Sequence, residues 1–331
     1  MARPEDRLTP AGASTPPDAS VTSGKGAFDG EWYHEQFHGA VRFAVRAQEH
    51  LHSEHSEFQK IDVYQSEFFG KFLTLDNLMM LTERDECVYH EMLVHVPLLS
   101  MPAPRSVLVI GGGDMGCARE ALAHPSVERV VQCDIDERVT RVCEQFFDWP
   151  ATVASDPRLE LHFADGAAFL RESEGAFDLI IVDSTDPIGP AVTLFEPEFY
   201  ATARRALRPG GVLTAQTESP HWSARAMAWV HGNLRQVFPR VHPYLGSIPT
   251  YPSGGWSWAF ASVDRDPHQE FDLDRAEAIA ARTRYYTPEL QRGAFALPKH
   301  VQRALAGEDP FAGFGVEELP SGSGGSTGDS A

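Results

Sequence analysis

The stretch Ser106-Val-Leu-Val-Ile-Gly-Gly-Gly-Asp-Met-Gly-Cys-Ala-Arg-Glu120 limits the fold more than any other part of the sequence. Val107 to Ile110 is a continuous apolar run, the pattern of a strand covered on both faces. Glycines follow at once, and Ala118 to Leu122 read as helix. A strand that ends in glycines and enters a helix brings its backbone close to a ligand at the helix N-terminus. Asp114 stands directly after the third glycine, where its carboxylate would oppose a phosphate and favour a cation. An ordinary dinucleotide loop is therefore not expected.

After Pro104 strands and helices alternate, which is the signature of a parallel sheet with helices on both faces. Strands are expected at Val107–Ile110, Arg129–Cys133, Leu159–Phe163, Leu179–Val182 and Val212–Gln216. Helices are expected to begin near Met115, Glu137, Gly166 and Pro197, with another from Ser223 to Val237. Late strands at Val241–Ile248 and Trp256–Ser262 should add an antiparallel edge. Upstream, Val41–Glu49, Phe58–Gln65 and Phe72–Leu75 read as short strands, and Arg84–Leu99 as a helix. The expected fold class is α/β: a Rossmann-like, methyltransferase-type sheet preceded by a small antiparallel β domain. Residues 1–29 are expected to be disordered, 30–103 to form the β domain with its linking helix, 104–306 the Rossmann-like domain and 307–331 a flexible tail.

Ligands of such sheets bind at the carboxyl ends of the strands. Acidic residues follow every one of these ends: Asp114, then Asp134 and Asp136, Asp165, Asp183 and Asp186, and Glu218. A single strand-end acid is commonly a helix cap, but the repetition describes an anionic crevice. Asp134 lies roughly 20 residues beyond the glycine turn, where an acid accepts hydrogen bonds from ribose hydroxyls. Gly111, Gly112, Gly113 and Gly116 leave no clear pyrophosphate cradle, and basic residues to balance phosphates are scarce. A nucleoside without phosphates fits better, such as a sulfonium of the S-adenosylmethionine type. Asp165 and Gly166 would then meet the adenine. Asp183 and Asp186 suit an alkyl-ammonium substrate, since one carboxylate can take the proton that an attacking amine must lose.

The net charge of −19 argues against nucleic acid as a partner and fits a cationic small molecule. Cys87, Cys117, Cys133 and Cys143 form no paired motif and read as reduced core thiols. The histidines between His34 and His55 lack metal-site spacing, and neither a metal nor a permanently bound cofactor is expected. No apolar run is long enough for a membrane span and no secretory signal is visible, so a cytoplasmic protein is expected. Trp256 and Trp258 alternate on a late strand and read as core or interface.

From Trp32 to Leu305 the chain resembles the polyamine aminopropyltransferases. The resemblance is carried by Leu75-Asp-Asn, Thr82-Glu-Arg-Asp-Glu86, Tyr89-His-Glu-Met92, Gly111-Gly-Gly-Asp114, Asp183-Ser-Thr-Asp-Pro-Ile-Gly-Pro190, Ile248-Pro-Thr-Tyr-Pro-Ser-Gly254 and Tyr285-Tyr-Thr-Pro-Glu289. It implies transfer of an aminopropyl group from decarboxylated S-adenosylmethionine, as co-substrate, to a diamine. It further implies that Gln59, Asp134, Asp165, Gly166 and Pro190 hold the methylthioadenosine part. Asp114, helped by Asp183, would take the aminopropyl ammonium. The acceptor, putrescine by default, would lie along Trp32, Tyr89, His90, Asp186, Gln216 and Tyr251, with Ser184 and Thr185 in the same segment. Asp183 would be the proton acceptor. Cadaverine, agmatine and spermidine remain alternative acceptors. A methyltransferase on the same fold and a polyamine-binding protein without activity remain alternative functions. The N-terminal β unit resembles the part that pairs subunits in this family, which implies a homodimer or homotetramer. Met115 departs from the family's glycine at that place; it is strained if the position needs a positive φ.

Overall fold

The computed structural model describes residues 25–187, 189–268 and 271–312. Most of the N-terminal segment and C-terminal tail expected to be disordered, and Ile188 of the Asp183–Pro190 motif, lie outside the described residues. Within the first segment, however, Lys25–Phe28 is a strand (β1), paired with Trp32–Phe37 (β2). The low apolar content of residues 1–29 hid it, because β1 needs only its ladder to β2 and one packed ring, Phe28.

β1, β2 and β3 (Val41–Arg46) form one antiparallel sheet. A second contains β4 (Glu49–His55), β5 (Lys60–Ser66), β6 (Gly70–Leu75) and β7 (Leu78–Thr82) in sequential order. The two share a core in which Tyr33 and Val45 of the first sheet meet Tyr64 and Phe72 of the second. β4 is almost devoid of large apolar residues, which is why the sequence alone does not separate it from β3.

α1 (Glu86–Leu99) then leads into the seven-stranded sheet, in the order β10-β9-β8-β11-β12-β14-β13. Its strands are β8 (Ser106–Gly111), β9 (Arg129–Asp134), β10 (Leu159–Phe163), β11 (Phe177–Asp183), β12 (Leu207–Gln216), β13 (Arg240–Ser247) and β14 (Gly255–Ser262). The first five are parallel, and β14 runs antiparallel between β12 and β13, as expected.

Alternation along β8 builds the layers. Val107 and Val109 face a core made with α1 and α2 (Gly116–Leu122). Leu108 and Ile110 face the opposite one, completed by α6 (Pro197–Ala206) and α7 (Ala224–Val237). α3 (Glu137–Phe146) packs Val139 and Val142 on Ile61, Val63 and Leu73 of the second N-terminal sheet. The remaining helices are α4 (Pro150–Ala154), α5 (Gly166–Arg171), α8 (Leu273–Ala280), α9 (Pro288–Ala294) and α10 (Lys299–Leu305).

α1 is not the one-sided amphipathic helix its apolar stripe suggests, since all of its residues are buried. The segment before α9 covers its outer side. There Glu91 accepts the backbone N–H groups of Arg284, Tyr285 and Tyr286 at 2.7–2.8 Å. Among the described residues no helix is long and apolar enough to cross a membrane. All four cysteines are buried free thiols.

Candidate active site

The site grows out of the turn between β8 and α2. Gly111 has φ 83°, and a Cβ there would lie 2.1 Å from the carbonyl oxygen of Asp183. Only glycine lets the end of β8 approach the end of β11 so closely, and Gly112 N–H donates to that same carbonyl at 2.9 Å. The turn thereby brings Asp114 near enough to Asp183 for the one charge to act on the other. Met115 has φ 62° and ψ 14° and caps α2 in the left-handed region, its side chain wholly buried in the core with α1. The positive φ at which strain is expected for this residue is present.

Asp114 is tied on one oxygen: Oδ1 accepts from Gly116 N–H at 2.6 Å and faces His90 Nε2 at 3.2 Å. His90 Nδ1 lies 2.7 Å from Glu86 Oε2. A Cβ on Gly116 would fall 2.3 Å from the His90 ring, so a glycine is required for that ring to reach Asp114. Burial opposes the charged form of His90, but Asp114 and Glu86 outweigh it and hold the ring's pKa well above the ordinary value. Burial also works against ionised Asp114, and His90 overcomes it, leaving that pKa low.

Asp183, at the end of β11, is shifted the other way. Burial and then the neighbouring Asp114 raise its pKa. Tyr89 O–H donates to Oδ1 at 2.7 Å, while Oδ2 is buried without a hydrogen-bond partner. Cys117, Asp183 and His90 offer ligand-type atoms within 4.8 Å of one another. A metal there would have to compete for a histidine whose nitrogens both already face carboxylates.

Beyond Tyr89 a narrow cavity of about 60 Å³ runs toward the N-terminal sheets, lined by Ser184, Thr185, Asp186, Gln216 and Tyr251. Gln216 Nε2 donates to the carbonyls of Ser184 and Thr185 at 3.4 Å, and Tyr251 O–H donates to Met80 O at 2.6 Å. The far wall holds two further acids, Glu218, which the strand-end argument includes, and Glu35, which it does not. Glu218 is 2% exposed at φ 78°, and burial, with Asp186 beside it, holds its carboxyl protonated far above the ordinary range. Burial likewise raises Asp186 and pushes Glu35 up to about 7.

On the other side of the glycine turn, Asp134 ends β9 with Oδ1 accepting from Asp136 N–H at 2.8 Å. Burial pushes its carboxyl up to about 6. Gln59 reaches this end of the sheet through Asp136, whose Oδ2 accepts from Gln59 Nε2 at 3.0 Å and Ser56 Oγ at 2.6 Å. Asp165 is exposed and caps α5, accepting from Ala168 N–H at 2.9 Å. The cap reading of that acid is therefore real, with one oxygen left over. Gly166 opens α5 against Ile110, and Pro190 lies in the 3₁₀ turn Gly189–Phe195.

Asp114, Tyr89, His90, Asp183, Ser184, Thr185, Asp186, Gln216 and Tyr251 thus come together, with Asp134 and Gln59 on the adjoining strand end. Trp32 does not join them. It is 42% exposed, because the pleat of β2 sends Tyr33, Glu35 and Phe37 inward instead, and Phe37 with Glu35 lines the cavity. Trp256 belongs to the buried core, in line with its reading, and also lines the cavity, whereas Trp258 is wholly buried. Period-two alternation through Tyr33, Glu35 and Phe37 is the signal that could have found the first pair. Glu218 was visible as a strand-end acid but not distinguishable from the rest.

Against known proteins, residues 86–272 match the spermine/spermidine synthase domain and residues 31–83 the spermidine synthase tetramerisation domain. A polyamine aminopropyltransferase of Clostridium beijerinckii is 43% identical over 278 residues, covering 83% of this chain and 98% of that one. A spermidine synthase solved in complex with the transition state analogue AdoDATO superposes with a TM-score of 0.81 at 38% identity, covering 84% of this chain and 96% of that chain. The spermidine synthase from Thermotoga maritima gives a TM-score of 0.79 at 36% identity, over 84% and 95% of the two chains.

Proposed function

The chain belongs to the spermine/spermidine synthase family, and from that membership we propose that it transfers an aminopropyl group from decarboxylated S-adenosylmethionine to putrescine. The amine nitrogen attacks the carbon beside the sulfonium, the carbon–sulfur bond breaks, and neutral 5′-methylthioadenosine leaves as spermidine forms. The observation that carries this reading is Asp183. Its Oδ1 is fixed by Tyr89, its Oδ2 is unpartnered, and burial keeps it basic enough to accept a proton. An ammonium is no nucleophile until it loses a proton, and a carboxylate that first pairs with the cation is well placed to take it. The sulfonium is already a good leaving group, so the residues need only align the reactants.

Asp134, Gln59 acting through Asp136, Asp165, Gly166 and Pro190 would hold the adenosine part. Asp114 would pair with the aminopropyl ammonium through Oδ2. S-adenosylmethionine itself would bring a carboxylate against Asp114, which disfavours methyl transfer. Asp186, with Glu218 and Glu35, would receive the distal ammonium of the acceptor, and Tyr89 and Tyr251 would flank its methylenes. The match of residues 31–83 to a tetramerisation domain supports a homo-oligomer. The buried free thiols fit a reducing compartment, and we read the protein as cytoplasmic. Purified protein given decarboxylated S-adenosylmethionine and putrescine should release 5′-methylthioadenosine, with putrescine outcompeting cadaverine, agmatine and spermidine. Absence of the thioether product sinks the reading, and preference for another amine corrects the acceptor.

A further inference from the structure

The His90 ring is 2% exposed, and its two nitrogens lie 2.7 Å and 3.2 Å from the carboxylates of Glu86 and Asp114. A neutral imidazole has one N–H and one lone pair, and a lone pair turned on a carboxylate is repulsive. Facing two carboxylates, the ring must donate from both nitrogens. Glu86 is the anchor of this arrangement. It is 5% exposed, its Oε2 also accepts from Arg119 at 2.7 Å, and its Oε1 faces Arg284 at 3.5 Å. Arg119 is held in turn by Glu120 at 2.6 Å. The charge of Glu86 is thus supported from α2 and from the segment before α9, independently of anything in the cavity.

Resting on the aminopropyl-transfer reading, we propose that Glu86 is a positioning residue. It keeps His90 an imidazolium, and that cation holds Asp114 ionised with Oδ2 turned to the incoming ammonium. Without a fixed positive charge between them, two neighbouring buried acids share a proton. A protonated Asp114 would then lose its hold on the ammonium. The titratable and charged groups facing the His90 ring are Glu86 and Tyr89 on its own helix, Asp114 on the turn, Cys117 on α2 and Asp183 on β11, with Arg119 and Arg284 behind Glu86.

Histidine ¹⁵N NMR of the unliganded protein should show His90 still doubly protonated across the pH range in which an ordinary imidazole loses its proton. In Glu86→Gln the ring should titrate within that window. The KM for decarboxylated S-adenosylmethionine should rise about tenfold, the size of one lost charged hydrogen bond. The acid limb of kcat/KM should move to higher pH. The Kd for 5′-methylthioadenosine, which has no ammonium, should change less than about twofold. Glu86→Asp, which keeps the charge, should recover part of the KM. A merely structural role would weaken both ligands together, and that result overturns the proposal. So does an ordinary His90 titration in the wild type, a measurement that stands even if Glu86→Gln does not fold. Wild-type protein that makes no methylthioadenosine refutes aminopropyl transfer instead, while the NMR still decides whether Glu86 sets the charge of His90.

Discussion

Replacing Asp183 by asparagine isolates the proton-accepting role from everything else that the residue does. The Tyr89 hydroxyl donates to Oδ1 at 2.7 Å, and an amide oxygen can accept that bond in the same place. The side chain keeps its volume beside Gly112, where a Cβ would lie 2.9 Å from Oδ2, so the turn is undisturbed. What is lost is the basic oxygen. General-base assistance is worth about 10²- to 10⁴-fold, or about 3–5 kcal/mol of barrier. Initial rates of methylthioadenosine release at saturating putrescine should fall by that factor near neutral pH. The deficit should shrink as pH climbs toward about 10, where solution itself supplies neutral amine. Wild-type activity should instead decline at low pH, as the raised carboxyl of Asp183 becomes protonated. A loss below about tenfold, or a deficit that stays constant across pH, would refute Asp183 as the base.

Three further outcomes test the frame around the site. Met115→Gly and Met115→Ala both lose the buried side chain, but only glycine relieves the left-handed backbone at φ 62°. The glycine variant should therefore melt as the more stable of the two by about 1 kcal/mol, and equal stabilities would show that no strain is stored there. Burial pushes Glu35 up to about 7 from 4.5, so the stability it contributes is complete below 4.5 and lost as pH rises through 7. In urea titrations Glu35→Gln should gain on the wild type by up to about 3 kcal/mol between pH 5 and 8.5, and parallel stability curves would contradict this. Glu91→Gln turns an amide N–H group toward backbone donors that a carboxylate now satisfies at 2.7–2.8 Å. With about 1–3 kcal/mol at stake for each orphaned N–H, urea unfolding should report at least about 2 kcal/mol lost, and an unchanged midpoint would discount the anchor.

The parallel sheet was legible because its strands are short apolar runs flanked by glycine and acid, and those signals are local. The acids at the strand ends were legible for the same reason, since strand direction alone sends them to one edge. β1 and β4 were not legible, because their stability comes from neighbours in the ladder rather than from apolar content. Glu35 escaped notice because its importance depends on β2 facing the cavity at the ends of β11 and β12, a placement invisible in the alternation until the sheets are assembled. Trp32 is a related case: its type suggests a ligand contact, but its parity on β2 differs from that of Glu35 and Phe37, which line the cavity. Met115 was legible as a question, and the backbone angle answers it.

Asp114 and Asp183 are the same residue type, brought together by one glycine turn, yet their proton affinities are driven apart. Burial acts on both in the same direction, so it cannot account for the difference. The partners do: Asp114 has the His90 cation at 3.2 Å and a backbone N–H on Oδ1, while Asp183 has the neutral Tyr89 hydroxyl and Cys117 thiol, and the repulsion of Asp114 outweighs the pull of His90 on it. A carboxylate held ionised is suited to bind an ammonium throughout a turnover, and one held basic is suited to accept a proton during it. The division of roles between the two aspartates therefore rests on a histidine that pairs directly with Asp114 and only faces Asp183. Loss of the His90 charge should blur both roles at once, because the released proton would be shared across the pair.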